Sequence, residues 1–338
     1  MRTQIIGLWL VLAIRATLAY DYEGHYLVNR LAIGALPSDF PDFVKSDKAS
    51  KRIAFLGGEA DRWRNTNELP LKHVNNPDHY LDVEDLALYG IEPKSLSPFR
   101  YDFVAQTARA RAANPDHFPK IDPARDLEHI RALPGFLPWA ITEYYGKLES
   151  AFSYLKVFRE NGTPDEIINA QENVIYIMGV MGHFVADASQ PLHTTSNYNG
   201  WNGANPRGYT TNHTFHAWID GGFLMTAGFP AVAELQPALH PAQILWQSSS
   251  GANSPVFGRV LQYVLEQHAF VEPLYELEKA GKLSASGDKQ EGRKFMRERL
   301  TAGAQMLSDL WLTAWKQAPP DAYLKSQLTK RAEPEHAP

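Results

Sequence analysis

The stretch DEIINAQENVIYIMGVMGHFVADASQPLH, residues 165–193, decides the fold. Its apolar residues recur at helical spacing, which predicts a helix from Asp165 to Gln190. Most positions around this helix are apolar or glycine, so we expect it to be buried. One narrow polar seam carries His183 and Asp187 four residues apart on the same face. Burying both side chains unpaired is costly, so a mutual hydrogen bond or a metal ion must satisfy them.

Further segments with helical period cover residues 142–159 and 293–316, and no clear strand pattern is present. We therefore predict an all-α fold, a single mostly helical domain over residues 20–316. Two stretches rich in proline, glycine or asparagine are predicted to be long loops, 86–138 and 197–212. The tail, residues 317–338, is expected to be loosely ordered.

The composition restricts the chemistry. The 338 residues include no cysteine, so any metal must be held by histidine, aspartate or glutamate. The net charge of −5 argues against a module that grips nucleic acid by a basic surface. It does not exclude a polyanionic substrate, because bound metal ions supply positive charge locally.

The N-terminus is typical of an export signal. Arg2 precedes an apolar run over residues 5–14, and small residues at 16–19 suit a signal peptidase. We predict a signal peptide over residues 1–19 and a secreted or periplasmic protein; the alternative is a buried first helix. No later apolar run is long enough to cross a bilayer, so no stable membrane anchor is expected.

The residues that follow His183 and Asp187 in the sequence favour metal binding. His193 follows Asp187 by six residues, and His216 and Asp220 repeat the His-x-x-x-Asp spacing of His183 and Asp187. Each pair alone is also typical of a buried structural hydrogen bond. Five candidate ligands between 183 and 220 form the nitrogen and oxygen ligand set that zinc would need in a chain without cysteine.

The sequence HFVADASQPLH, residues 183–193, resembles the H-x-x-x-D-x-x-Q-P-x-H signature of the S1/P1 nuclease family, in a superfamily that includes zinc-dependent phospholipases C. The similarity covers residues 20–220, and the lack of disulfides resembles bacterial members. It implies the phospholipase C/P1 nuclease type of fold, with long loops around a cleft with three zinc ions. The implied metal ligands are Tyr20 through its backbone, His25, Asp61, His79, His183, Asp187, His193, His216 and Asp220.

The resemblance also distributes these ligands. It implies a first ion at Asp61, His79, His183 and Asp187, a second at His193, His216 and Asp220, and a third at His25, Asp187 and Tyr20. Asp187 would bridge the first and third ions.

The implied activity is that of an endonuclease, in which a zinc-activated water hydrolyses single-stranded DNA or RNA and 3′-nucleotides. Asp61, Asp187 and Arg64 are the expected catalytic residues, and Arg64 matches an arginine near the substrate phosphate. Tyr80 and Asp82 match an aromatic ring and an acid that hold the nucleobase; a core aromatic is the alternative for Tyr80. No protein partner is implied.

The chain departs from the nuclease family pattern in two places, and two functions other than a nuclease stay open. Tyr20 stands where the family usually has tryptophan, and an insertion at about 86–134 is expected to form a lid that changes substrate choice. A phospholipase C acting on phospholipid headgroups is the first rival. Asp220, where phospholipases use glutamate, and the long spacing from His193 to His216 favour the nuclease. The second rival is a non-catalytic exported zinc-binding protein.

Overall fold

The computed structural model describes residues 21–246 and 255–332. The expected signal peptide, its cleavage site and the proposed ligand Tyr20 lie outside these residues. The α-helices are α1 Asp21–Ala35, α2 Asp42–Lys45, α3 Asp47–Leu56, α4 Glu59–Arg64, α5 Leu69–Asn75, α6 Arg100–Ala113, α7 Leu137–Asn161, α8 Pro164–Ser189, α9 Phe215–Ala217, α10 Phe223–Ala227, α11 Val232–Leu235, α12 Pro255–His268, α13 Val271–Lys279, α14 Gln290–Gln317 and α15 Ala322–Ala332.

Short helical turns connect these elements. A π-helical turn covers Trp218–Gly222. The 3₁₀ turns are Asn76–His79, Glu84–Tyr89, Pro93–Ser95, Pro115–His117, Pro123–Arg125, Pro191–Thr194 and Gln236–Ala238. Extended pairing in the described part of the chain is limited to an isolated bridge between Leu81 and Gly135. The prediction of an all-α fold is confirmed.

The long helices predicted from periodicity are α7, α8 and α14. Helices α7 and α14 extend a few residues past the expected bounds, and α8 begins and ends one residue earlier than expected. Helix α8 begins where Thr163 accepts a hydrogen bond from the amide of Glu166, whose carboxylate accepts from the Thr163 amide. Pro164 occupies its first turn, where no amide donor is needed. The helix ends at Ser189 because Gln190 is extended and Pro191 follows.

Helix α8 is the centre of the molecule, packed against α1, α3, α7 and α14. Its residues from Met178 to Ser189 are all buried. The buried Asn29 on α1 ties three helices together, since its amide nitrogen donates to Ile53 O at 2.8 Å and Gly179 O at 3.0 Å. A Cβ on Gly182 would lie 1.7 Å from Asn29 Oδ1. Glycine is therefore required beside His183 for α1 and α8 to approach this closely.

Two sequence-based expectations are wrong in part. The stretch 86–138 was expected to be irregular, yet it contains α6, whose buried Phe103 stacks on Trp139 with ring centroids 4.5 Å apart. The tail was expected to be loosely ordered, yet α15 covers residues 322–332, and Arg331 pairs with Glu166 at 2.7 Å. The predicted loop over 197–212 contains no helix or strand. None of the described helices is both long and apolar enough to cross a membrane.

Candidate metal centre

The C-terminal half of α8 carries the first ligands into the core. His183 and Asp187 are fully buried and lie on one face of the helix, with His183 Nε2 3.2 Å from Asp187 Oδ2. The other ring nitrogen, His183 Nδ1, donates to Gly57 O at 2.6 Å. That carbonyl belongs to the turn before α4, which carries Asp61, so the turn orients the His183 ring and brings Asp61 Oδ1 within 3.9 Å of Nε2.

Asp187 is the point where the histidines converge. Its carboxylate oxygens lie 2.9 Å from His79 Nδ1, 3.2 Å from His183 Nε2, 3.5 Å from His25 Nε2 and 3.8 Å from His193 Nδ1. The rings of His25 and His183 stack with centroids 3.9 Å apart. A single carboxylate placed among four imidazoles is suited to bridging two cations.

A second group follows the end of α8. His193 Nε2 and His216 Nε2 are 3.2 Å apart, and His216 Nε2 lies 2.9 Å from Asp220 Oδ2. His216 and Asp220 were expected to lie on one face of an α-helix. This holds only approximately, because α9 changes to a π-helical turn at Trp218. His193 and Asp220 are buried, whereas the His216 side chain is 18% exposed.

An extended segment after His79 joins the two groups. The Leu81 amide donates to His193 O at 2.9 Å, and His193 Nδ1 donates to His79 O at 2.7 Å. On its other side, Leu81 bridges Gly135, whose φ of +96° and contact with Tyr80 leave no room for a side chain. These contacts fix His79 and His193 relative to each other although 114 residues separate them.

The side chains form three candidate metal-binding groups: His25, Asp61 and His183; His79, His183 and Asp187; and His193, His216 and Asp220. Together they contain eight of the nine expected ligands, all except Tyr20. The last group is the one expected for the second ion. The grouping of His25 differs, since the resemblance assigned it to an ion shared with Asp187 and Tyr20.

Several features of these groups suit a metal. His183 and His193 use Nδ1 on backbone carbonyls, which leaves Nε2 as a lone-pair donor, the usual arrangement of metal-bound histidine. Among the described residues, His79 Nε2 and Asp187 Oδ1 are buried atoms without a hydrogen-bond partner. Ligand atoms about 2.0–2.1 Å from a tetrahedral zinc lie roughly 3.3 Å apart. The spacings from 2.9 to 3.9 Å in these groups are close to that value.

The protonation states also suit cation binding. Burial and the nearby charge of Arg64 lower the pKa of His79 to about 3, and burial lowers that of His193, so both rings are neutral near pH 7. Burial opposes ionisation of both Asp187 and His183, but the charge of His183 holds the pKa of Asp187 well below the usual range, and Asp187 in turn raises the pKa of His183. Zinc binds the ionised carboxylate and neutral imidazoles, so binding at His183 would release a proton.

A cavity of about 780 Å³ opens beside these groups. His79, His193 and His216 form part of its wall. Four cationic residues also line it: Arg64, Lys72, Arg125 and Arg131. A cavity with metal-binding groups and positive charge in its wall suits an anionic substrate.

The expected substrate residues lie in the same wall. Arg64 is on α4, with Nε 3.8 Å from Asp61 Oδ1, beside the metal groups. Tyr80 and Asp82 both line the cavity. Burial, together with the nearby Asp85 and Glu84, raises the pKa of Asp82 well above its usual range. If it keeps its proton, Asp82 would present both a donor and an acceptor, as the edge of a nucleobase requires.

The expected lid is a wall of this cavity. Residues 124–128 and Ile130, Arg131 and Leu133 of the insertion line it. Glu128 fastens this wall to α5, because its carboxylate pairs with Lys72 at 3.1 Å and accepts from the Asn76 amide, and its backbone carbonyl lies 2.8 Å from His73 Nδ1.

Some residues of this site were not expected from the sequence. Gln190 donates to Asp220 Oδ1 at 2.6 Å and accepts from the Leu192 amide at 2.7 Å, so it orients a ligand. Its place in the 183–193 signature was the available signal. Tyr198 lines the cavity with its ring 5.6 Å from that of His216. Neither Tyr198 nor Arg131 belonged to a recognisable pattern.

Comparisons of the chain with models of protein families, with curated proteins and with solved structures find no match. The chemistry of this site therefore has to be judged from its own residues.

Proposed function

We propose that this protein is a zinc-dependent phosphodiesterase that hydrolyses single-stranded nucleic acid, and 3′-nucleotides, with a zinc-activated water. The observation that carries the proposal is the position of three buried histidine and aspartate groups beside a cavity lined by four cationic residues. The signature over residues 183–193 and the ordered motifs upstream support the same reaction.

The chain's own residues have distinct tasks in this reaction. His79, His183 and Asp187, with His25 and Asp61, would hold metal at one end. The group of His193, His216 and Asp220 would hold metal at the other. When bound, zinc activates a water molecule and supplies positive charge for the phosphate. Arg64, next to Asp61, would contact the non-bridging phosphate oxygens as charge builds on them.

The polar and aromatic lining favours a nucleic-acid substrate over a lipid. Tyr80 and Tyr198 offer ring surfaces for bases, and Asp82 offers a carboxyl group. Stacking on such rings requires a base that has left its helix, which single strands allow at low cost. A phospholipid headgroup would use the same metal groups but would offer no base to stack on the Tyr80 and Tyr198 rings.

The test is a substrate panel with zinc-loaded and chelated protein. It contains single-stranded DNA, the same DNA as a duplex, RNA, 3′-AMP and phosphatidylcholine vesicles. We expect about three zinc ions per chain by elemental analysis and hydrolysis of the single strands, lost on chelation and restored by zinc. His183→Asn should abolish turnover, because His183 belongs to two of the groups. His117→Asn, on an exposed turn of the insertion, is the matched control.

Each contrary outcome has a clear meaning. Turnover of phosphatidylcholine without turnover of nucleic acid would replace the nuclease with the phospholipase. Stoichiometric zinc without turnover of any substrate would favour a zinc-binding protein. Full turnover by chelated protein would exclude zinc catalysis.

A further inference from the structure

The four cations that line the cavity differ in their neighbours. Lys72 pairs with Glu128 at 3.1 Å, Arg64 lies 3.8 Å from Asp61 and Arg125 lies 3.8 Å from Asp122. The guanidinium of Arg131 has no carboxylate within 4 Å among residues 21–246 and 255–332. It is therefore the lining cation whose charge no described acidic side chain offsets.

The backbone that carries Arg131 is held firmly. Asp126 Oδ1 accepts from the amides of Ile130 at 2.9 Å and Arg131 at 3.2 Å. The next residue is fastened as well, because Tyr89 Oη donates to Ala132 O at 2.8 Å. A cation on such a segment is placed before a ligand arrives, which lowers the entropy lost on binding.

One edge of the guanidinium is already used. Arg131 Nε donates to Arg125 O at 2.8 Å, which orients the planar group. The two terminal amino groups remain as donors, and this planar arrangement matches the oxygens of a phosphate. The exposed side chain can therefore receive an anion from the cavity.

Arg131 lines the same cavity as Tyr198, whose ring lies 5.6 Å from the His216 ring of the second metal group, and the charge of Arg131 acts on the Tyr198 hydroxyl. Arg64 stands with Asp61 of another group. The cavity is lined by three guanidinium groups, of which Arg64 and Arg125 lie within 4 Å of a carboxylate and Arg131 does not, among the described residues. Arg131 therefore remains available for a phosphate other than the one that Arg64 and the metal groups would engage.

We propose that Arg131 binds a second, non-reacting phosphate of the substrate, so that the enzyme prefers oligonucleotides with a further phosphate next to the scissile one. This inference rests on the proposed function. It gives the insertion a specific part in choosing substrates, since Arg131 lies within it, and it makes Arg131 a specificity-determining residue. The metal groups and Arg64 would act on the reacting phosphate alone.

The experiment compares the dinucleotide TpT with pTpT and TpTp, which add a terminal phosphate at the 5′ or the 3′ end. We expect wild-type, zinc-loaded protein to show a kcat/KM about tenfold higher for at least one of the phosphorylated forms, the effect of one charge-assisted contact. The gain should lie mainly in KM, because the second phosphate takes no part in bond breaking.

Arg131→Ala should remove this preference, and Arg131→Lys should keep part of it, since lysine retains the charge without the planar pair of donors. Arg109→Ala is the matched control, an exposed arginine on α6 of the same insertion that does not line the cavity. It should keep the full preference. Circular dichroism melting of the variants separates loss of fold from loss of contact.

Wild-type protein that cleaves all three dinucleotides equally well would overturn the role of Arg131 and leave the proposed function intact. A preference that survives in Arg131→Ala would do the same. Failure to cleave any of them, or single-stranded DNA, with zinc bound would overturn the proposed function and this inference with it.

Discussion

Replacing Gln190 by leucine is the sharpest test of how this site is organised. The side chain has two buried partners, Asp220 Oδ1 and the Leu192 amide. Leucine has nearly the same size and can offer neither bond. The Gln190→Leu variant therefore removes the support of a ligand without touching any ligand.

The size of the effect follows from these contacts. Each buried group left without its partner costs about 1–3 kcal/mol, so the chelated protein should lose about 2–6 kcal/mol of unfolding free energy. Loss of a residue that orients a ligand lowers metal affinity about 10–100-fold. We expect this loss for the group formed by His193, His216 and Asp220, since Gln190 holds Asp220.

The assay measures urea unfolding of the chelated protein and a zinc titration against a competing chelator. Gln267→Leu is the control, because Gln267 is also buried and its amide oxygen accepts a hydrogen bond from Arg299 at 2.6 Å. Neither Gln267 nor Arg299 is a candidate metal ligand. The control variant should lower stability and leave zinc affinity unchanged. If both variants lose similar stability and bind zinc as tightly as the wild type, Gln190 does not orient Asp220 for a metal.

Three further outcomes are expected. Asp187→Asn should lower zinc content and activity more than Asp220→Asn, because four histidines lie within 4 Å of Asp187; equal losses would count against bridging. Tyr80→Ala should weaken nucleotide substrates by about 1–3 kcal/mol and spare small aryl phosphodiesters, and a uniform loss would favour a core role. Chelated protein should lose stability as the pH drops below about 6.5, and its melting temperature should fall. The reason is that the pKa of His79 is about 3 in the folded protein, so only the unfolded chain takes up a proton on this histidine in that pH range. A level melting temperature between pH 7 and 5 would contradict this.

The fold was predictable where periodicity is strong. The C-terminal half of α8 is apolar almost all around, and His183 and Asp187, four residues apart on it, gave the position of the first ligands. Helix α6 was missed because few of its residues are buried, among them Phe103 and Thr107, so its sequence shows no apolar face. The seven prolines between residues 86 and 138 also favoured a loop.

The identity of the candidate ligands was easier to predict from the sequence than the distances between them. Spacing along one helix gives His183 and Asp187, and it approximates His216 and Asp220. The distance between His79 and His193 depends instead on Leu81, whose amide binds His193 O, and on the bridge from Leu81 to Gly135. Such pairings between distant segments leave no periodic mark in the sequence.

The insertion is coupled to the metal site as well as to the cavity. Arg100, at the start of α6, pairs with Asp78 at 2.5 Å and with Glu143 of α7 at 2.8 Å. Asp78 precedes His79 in the same 3₁₀ turn, so this ion pair connects the insertion to a ligand-bearing turn. The insertion therefore cannot act only as a removable cover. A change that loosens it should disturb the position of His79, whereas a change confined to Arg131 should alter the choice of substrate.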